Sequence, residues 1–117
     1  MKKIYHLGTC STCKRILTEI NAEEHGFELQ DIKTNRMTEA QVDEMEKLAG
    51  SYEALFSRKA MKYRSMGLAE KNLSEADYRK LILEEYTFLK RPVALLNGKI
   101  LIGNSKKTTA AIIDELS

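Results

Sequence analysis

Lys2-Lys3-Ile4-Tyr5-His6-Leu7-Gly8-Thr9-Cys10-Ser11-Thr12-Cys13-Lys14-Arg15-Ile16-Leu17 changes its apolar period halfway along. Ile4-Tyr5 and Leu7 read as a short strand, and Gly8-Thr9 breaks it. From Ser11 onward the apolar positions are Cys13, Ile16, Leu17 and Ile20, the spacing of one face of an amphipathic helix. Both cysteines therefore fall in the opening turn of that helix. Free N–H groups and the positive end of the helix dipole gather there, so a Cys10 thiolate is stabilised and its pKa lowered. A helix start that follows a strand is also a ready anion site. Cys13 lies on the apolar stripe and Cys10 at the loop junction, which places an exposed attacking sulfur beside a sheltered one. Thiol–disulfide exchange uses that asymmetry.

The Cys-x-x-Cys spacing by itself leaves three readings open: a redox pair, two small buried hydrophobes, or half of a zinc site. His6 and His25 are the only other soft ligands and there is no second cysteine pair, so no metal is expected. Strand, tight turn, Cys-x-x-Cys and amphipathic helix together are the context in which a redox motif is credible. His25 reads most simply as a cation at a helix C-terminus.

A chain of 117 residues, 43% hydrophobic and 31% charged, has the length for one globular core. No apolar run is long enough to span a bilayer, and Met1-Lys2-Lys3 leads into a strand without the apolar segment of a signal peptide. Cytoplasmic location and no membrane association are the expectations. In that compartment a disulfide between cysteines three positions apart is catalytic or sensory, not structural. The 19 basic and 17 acidic residues are spread along the chain without a basic block, which disfavours direct nucleic-acid binding.

Beyond the first helix, expected to run to about Glu24 with His25-Gly26 as its stop, Phe27–Ile32 alternates as a half-buried strand. Thr38-Glu39-Ala40-Gln41 resembles a capping box, followed by Val42, Met45, Leu48 and Ala49 at helical spacing and by Gly50. A short helical piece is expected over Tyr52–Phe56, and the basic run Ser57–Arg64 reads as a solvated outlet. Ser74 opens another helix with Tyr78, Leu81, Ile82 and Tyr86 on its apolar side. Lys90-Arg91-Pro92, holding the one proline, precedes Val93–Leu96, and Asn97-Gly98 joins it to Lys99–Ile102 in a hairpin. Thr109–Leu116 forms a last helix. This order predicts an α/β fold: a thioredoxin-like mixed four-stranded sheet with flanking helices and a helical insertion between its halves.

The sequence resembles the family of glutaredoxin-linked arsenate reductases (ArsC) and its relatives Spx and YffB. The resemblance is carried by Tyr5-His6 ahead of Cys10, by Ala54-Leu55-Phe56-Ser57-Arg58-Lys59 leading to Tyr63 and Gly67-Leu68, and by Arg91-Pro92 before the hairpin. It implies one thioredoxin-fold domain over 1–117 with the helical insertion at about 36–90. It also implies Cys10 as nucleophile, Arg58 and Arg91 as oxyanion holders, and a cis Arg91–Pro92 bond that places Pro92 opposite the nucleophile. His6 matches a histidine that helps keep the thiolate charged. Arginine suits these positions because its planar fork of N–H donors stays charged and fits oxyanions.

Two positions depart from the arsenate reductases. Gly103 stands where the third anion-holding arginine is expected, and Cys13 stands in place of a serine, as in the Cys-x-x-Cys switch of Spx. The expected function is thus a thiol-dependent reductase with Cys10 as nucleophile and Cys13 as resolving thiol. Glutathione is the co-substrate, glutathione or glutaredoxin the partner, no cofactor is bound, and the protein is a monomer. The alternative is an Spx-like regulator whose Cys10–Cys13 state controls docking on RNA polymerase, with Gly50 in a comparable place to an Spx contact glycine.

Overall fold

The structure, a computed structural model, describes residues 2–117. Its strands are β1 (Lys3–His6), β2 (Glu28–Asp31), β3 (Val93–Leu96) and β4 (Lys99–Ile102). Five α-helices accompany them among the described residues: α1 (Ser11–Glu19), α2 (Glu39–Ala49), α3 (Met61–Ser65), α4 (Glu75–Glu84) and α5 (Lys106–Leu116). The chain divides into a sheet unit, made of the residues up to Arg36 with Arg91–Ser117, and a helical unit, Met37–Lys90.

In the sheet unit the strand order is β2-β1-β3-β4. β1 runs parallel to β2 and antiparallel to β3, and β3 runs antiparallel to β4. The predicted mixed four-stranded α/β sheet is present. All four residues of β3 are buried, as the continuous apolar run Val93–Leu96 requires of an inner strand. Ile4 stands opposite Ala94 across the antiparallel pair, and both join Ile16, Ile20, Phe27, Leu96 and Ile112 in one core. The apolar stripe of α1 is therefore set against the sheet together with α5. Asn97 and Gly98 take φ of 53° and 72°, the two left-handed residues that a tight hairpin turn needs.

The first helix ends earlier than its apolar period suggests. Asn21 adopts φ 54°, its N–H donates to Thr18 O (3.1 Å), and the Ala22 N–H donates to Leu17 O (3.0 Å). That is a Schellman stop with asparagine in the left-handed position. His25-Gly26 closes a separate single turn, in which the Phe27 N–H reaches Ala22 O at 3.1 Å. The expected end at about Glu24 is thus corrected to Glu19. At the other end of the chain α5 begins at Lys106, capped by Ser105, three residues before the expected start.

The helical unit carries two capping boxes. Thr38 and Gln41 exchange bonds at the start of α2, and Ser74 and Asp77 do so at the start of α4. Phe56 is the centre of this unit: fully buried, stacked on Phe88 with centroids 4.9 Å apart, and in contact with the rings of Tyr78 and Tyr63. Main-chain bonds from Ser57 N to Phe88 O (2.6 Å) and from Lys90 N to Leu55 O (2.8 Å) fasten the two segments beside it. Tyr86 falls outside α4, opening a 3-10 turn at Tyr86–Phe88, and the basic run contains the short helix α3 where only a solvated outlet was expected.

Asn21→Gly is expected to leave stability unchanged or slightly higher, because glycine accepts the left-handed conformation. Asn21→Ala should cost on the order of 1 kcal/mol. Urea unfolding of the two variants distinguishes them, and equal midpoints would remove the assigned stop.

Candidate active site

The main chain turns from β1 into α1 through Leu7-Gly8-Thr9-Cys10, closed by a bond from the Cys10 N–H to Leu7 O at 3.0 Å. Cys10 is the N-cap of α1, with extended φ/ψ of −91° and 113°. Its sulfur lies at the helix mouth, where the N–H groups of Cys13 and Thr12 turn towards it without closing a full capping bond. Burial pushes the Cys10 thiol up. The Cys13 N–H and thiol, the Thr12 N–H and the charge of Arg91 outweigh this and hold it below the ordinary thiol value.

Cys13 has the opposite fate. It is 1% exposed, and burial pushes its thiol up to about 11, with the neighbouring Cys10 adding to the rise. Leu7 N–H and Arg91 oppose that rise and lose. Both cysteines are free thiols. Two sulfurs one helical turn apart are thus poised differently, the half-buried one for ionisation and the buried one against it.

Arg91 and Pro92 enter the same unit from the start of β3. Their peptide bond is cis, as the resemblance implies, and Pro92 is buried. The positive charge of Arg91 favours the thiolate form of both cysteines. His6, the last residue of β1, stands beside Asp31 of β2 in the parallel register. Burial lowers its pKa and the Asp31 carboxylate opposes the fall, while Nδ1 is buried and makes no hydrogen bond. A shallow groove of about 650 Å³ runs along α1 from Ser11 past Lys14 and Arg15 to Glu19. No sequence signal marks Lys14 or this groove, because an exposed cation on an amphipathic helix is ordinary.

Arg58 belongs to the helical unit. Its Nη2 pairs with Glu53 at 2.7 Å and donates to the Tyr78 hydroxyl at 3.0 Å, with the guanidinium over the Tyr78 ring. Gly103 has φ 101°, and its N–H donates to Pro92 O at 2.9 Å. The residue at the expected third-arginine position is therefore a backbone requirement of the turn after β4: a left-handed φ excludes most side chains. Among the described residues no cluster of His, Cys, Asp or Glu suits a metal ion, and no helix is long and apolar enough to cross a membrane.

The ArsC family model matches residues 5–112, which takes in the cysteine turn, the helical unit and the hairpin. The chain belongs to the ArsC family. A Haemophilus influenzae protein is 26% identical over 118 residues, covering 95% of this chain and 98% of its own length. Among solved structures, the YFFB protein superposes with a TM-score of 0.82 at 20% identity, with both chains covered completely (100% and 100%). The arsenate reductase from Vibrio cholerae does so at 0.79 and 16% identity, over 97% of this chain and 96% of its own. At these identities the superpositions establish the thioredoxin-like ArsC fold.

Alkylation of the Cys13→Ser protein should rise with pH around a midpoint below that of the same thiol in the urea-unfolded chain, which lies near about 8.5. Arg91→Met should move that midpoint up, because it removes a charge that favours the thiolate. In the Cys10→Ser protein, Cys13 should react only well above 8.5, since burial, its largest influence, is unchanged. A Cys13 midpoint at or below that of Cys10 would reverse the assignment.

Proposed function

We propose that this ArsC-family protein is a thiol-dependent reductase in which Cys10 attacks and Cys13 resolves. The observation that carries the reading is the paired asymmetry at one helix start: a thiol held low at the N-cap beside Arg91, and a second, buried thiol three residues on. Nucleophilic catalysis by cysteine needs the thiolate at working pH, and a lowered pKa provides it.

With a glutathione mixed disulfide as substrate, the Cys10 thiolate attacks the glutathionyl sulfur and forms a Cys10–glutathione disulfide. The released substrate thiolate takes a proton from water. Consuming the Cys10 thiolate also removes one of the influences that hold Cys13 protonated. Cys13 then loses its proton and attacks Cys10 Sγ, expelling glutathione thiolate, which takes up a proton. The resulting Cys10–Cys13 disulfide has given two electrons to the substrate. Two further glutathiones, or the dithiol of a glutaredoxin, return them and leave as a disulfide.

Lys14 and Arg91 supply cations for the carboxylates of glutathione. Arg58, the further oxyanion holder that the family resemblance implies, belongs to the helical unit, where its pair with Glu53 is exposed on both sides and is worth under about 1 kcal/mol. Arsenate is the weaker substrate in this reading. Without a third arginine, one charge-assisted contact worth about 1.5 to 3 kcal/mol is missing. His6 is proposed as a neutral neighbour of the site. The Spx-like alternative, docking on RNA polymerase under control of the same two thiols, rests on the Cys-x-x-Cys pair and on Gly50, which is an ordinary left-handed stop after α2.

Steady-state assays with glutathione, with and without glutaredoxin, should show reduction of a glutathione mixed disulfide that Cys10→Ser abolishes and Cys13→Ser reduces. Arsenate turnover should be absent or feeble. Gly103→Arg should fail to raise it and should destabilise the protein by about 1 kcal/mol or more, because arginine is forced into a left-handed φ. Turnover that survives Cys10→Ser would sink the mechanism. RNA polymerase capture by a protein without any turnover would favour the regulator.

A further inference from the structure

Gly8 occupies the cysteine turn for a reason other than its φ, which is not left-handed. A Cβ at this position would overlap Oδ2 of Asp31 and lie 3.3 Å from its Cγ. Asp31 ends β2, twenty-three positions along the chain from Gly8, and β2 is the parallel neighbour of β1. Its carboxylate lies against Gly8 on one side, where the Gly8 N–H favours its charged form, and accepts from the Lys33 N–H, through Oδ1 at 3.0 Å, on the other. The turn after β2 is itself tied down, with the Asn35 N–H on Asp31 O at 2.8 Å. One carboxylate therefore joins the loop that ends β2 to the turn that presents Cys10.

We propose that Asp31 is the positioning residue for Cys10: by packing its carboxylate against Gly8 it fixes the Leu7–Cys10 turn, and with it the alignment of Cys10 Sγ on the N–H groups that open α1. The turn has two anchors. The Cys10 N–H to Leu7 O bond closes it internally, and the Asp31 carboxylate fixes it to the sheet. Only glycine at position 8 lets the carboxylate come this close. The charged and titratable groups facing this construction are His6 from β1, which feels the Asp31 charge, and Cys13 and Arg91, which act on Cys10. Lys33 meets the carboxylate through its main-chain N–H, and Gly8 brings only main chain to it. The Asp31 carboxylate is itself held below the ordinary range: burial pushes it up, but the N–H groups of Lys33 and Gly8 and the neighbouring His6 outweigh that. It is an anion throughout the range in which Cys10 titrates.

This inference rests on Cys10 as the reactive thiol and on no particular substrate, so it is read by alkylation. The background is Cys13→Ser, in which Cys10 is the sole thiol. If its midpoint there is not below that of the unfolded chain, the reactive-thiol reading fails, and the inference with it; the change on substituting Asp31 or Gly8 tests the inference alone. Losing a nearby negative charge would lower the Cys10 midpoint, whereas losing the anchor raises it. The two effects differ in sign. Asp31→Ala is expected to raise the midpoint by about half a unit to one unit, leaving roughly three- to tenfold less thiolate at a pH below it. Asp31→Asn keeps one oxygen acceptor and should give a smaller rise. Gly8→Ala presses on the same contact without altering any charge and should also raise the midpoint. Circular dichroism establishes that each variant is folded, and Asp31→Asn with Gly8→Ala decides the matter if Asp31→Ala is not. A midpoint unmoved or lowered in both folded variants would overturn the proposal and leave Asp31 with a merely structural part.

Discussion

The 3.0 Å bond from the Cys10 N–H to Leu7 O is the joint on which the site depends. It turns the chain from an inner strand into a helix within four residues, so the first helical residue follows immediately on the cysteine. Cys10 thus becomes an N-cap, a position where unsatisfied main-chain N–H groups replace the protein's need for a dedicated base. The same turn sets the helix phase. With Ile16 and Ile20 directed into the core against Ile4 and Ala94, Cys13 is carried to the buried side and Cys10 is left at the mouth. The chemical difference between the two thiols follows from packing.

Arg91 adds charge from a different part of the chain. It reaches the cysteines because β3 lies directly beside β1, antiparallel, with Tyr5 opposite Val93. The residues just ahead of β3 are therefore brought to the end of β1 from which the cysteine turn departs. An arginine there remains charged at every relevant pH, so the favoured state of Cys10 depends on geometry and not on a second titration. Asp31 reaches the same turn from the opposite neighbour, β2. Cation and carboxylate thus come from the two strands that flank β1, one acting on the sulfur and the other on the main chain that carries it.

Much of the fold was legible because its signals are local. Asn97-Gly98, Thr38 with Gln41, and the change of period at Gly8-Thr9 each specify a conformation within a few residues, and each is present as read. Arg91-Pro92 came from the family resemblance, and its cis bond is a property of the fold that no local pattern announces. Other features depend on contacts between distant residues. Nothing in Leu17–Ala22 distinguishes a helix that continues from one that stops at Asn21, since the apolar spacing runs through both. Gly8 was legible as a breaker but not as the seat of a carboxylate twenty-three positions away. Gly103 stands out as a missing arginine only through the family resemblance, whereas the structure gives it a positive φ and a main-chain bond to Pro92. Arg58 came from the family resemblance, and its pairing with Glu53 and Tyr78 emerges only when α4 packs beside Phe56.

The division of labour between the two cysteines is tested most directly by trapping the intermediate. The Cys13→Ser and Cys10→Ser proteins are each incubated with glutathione disulfide near neutral pH, and the intact mass and the modified peptide are identified by mass spectrometry. The expected result is one stable glutathionyl adduct on Cys10 in the Cys13→Ser protein and little or none on Cys13 in the Cys10→Ser protein. In the wild type the adduct should be transient and give way to an internal Cys10–Cys13 disulfide. A faster adduct on Cys13 than on Cys10, or a wild-type adduct as stable as that of Cys13→Ser, would contradict the assignment of attacking and resolving thiols.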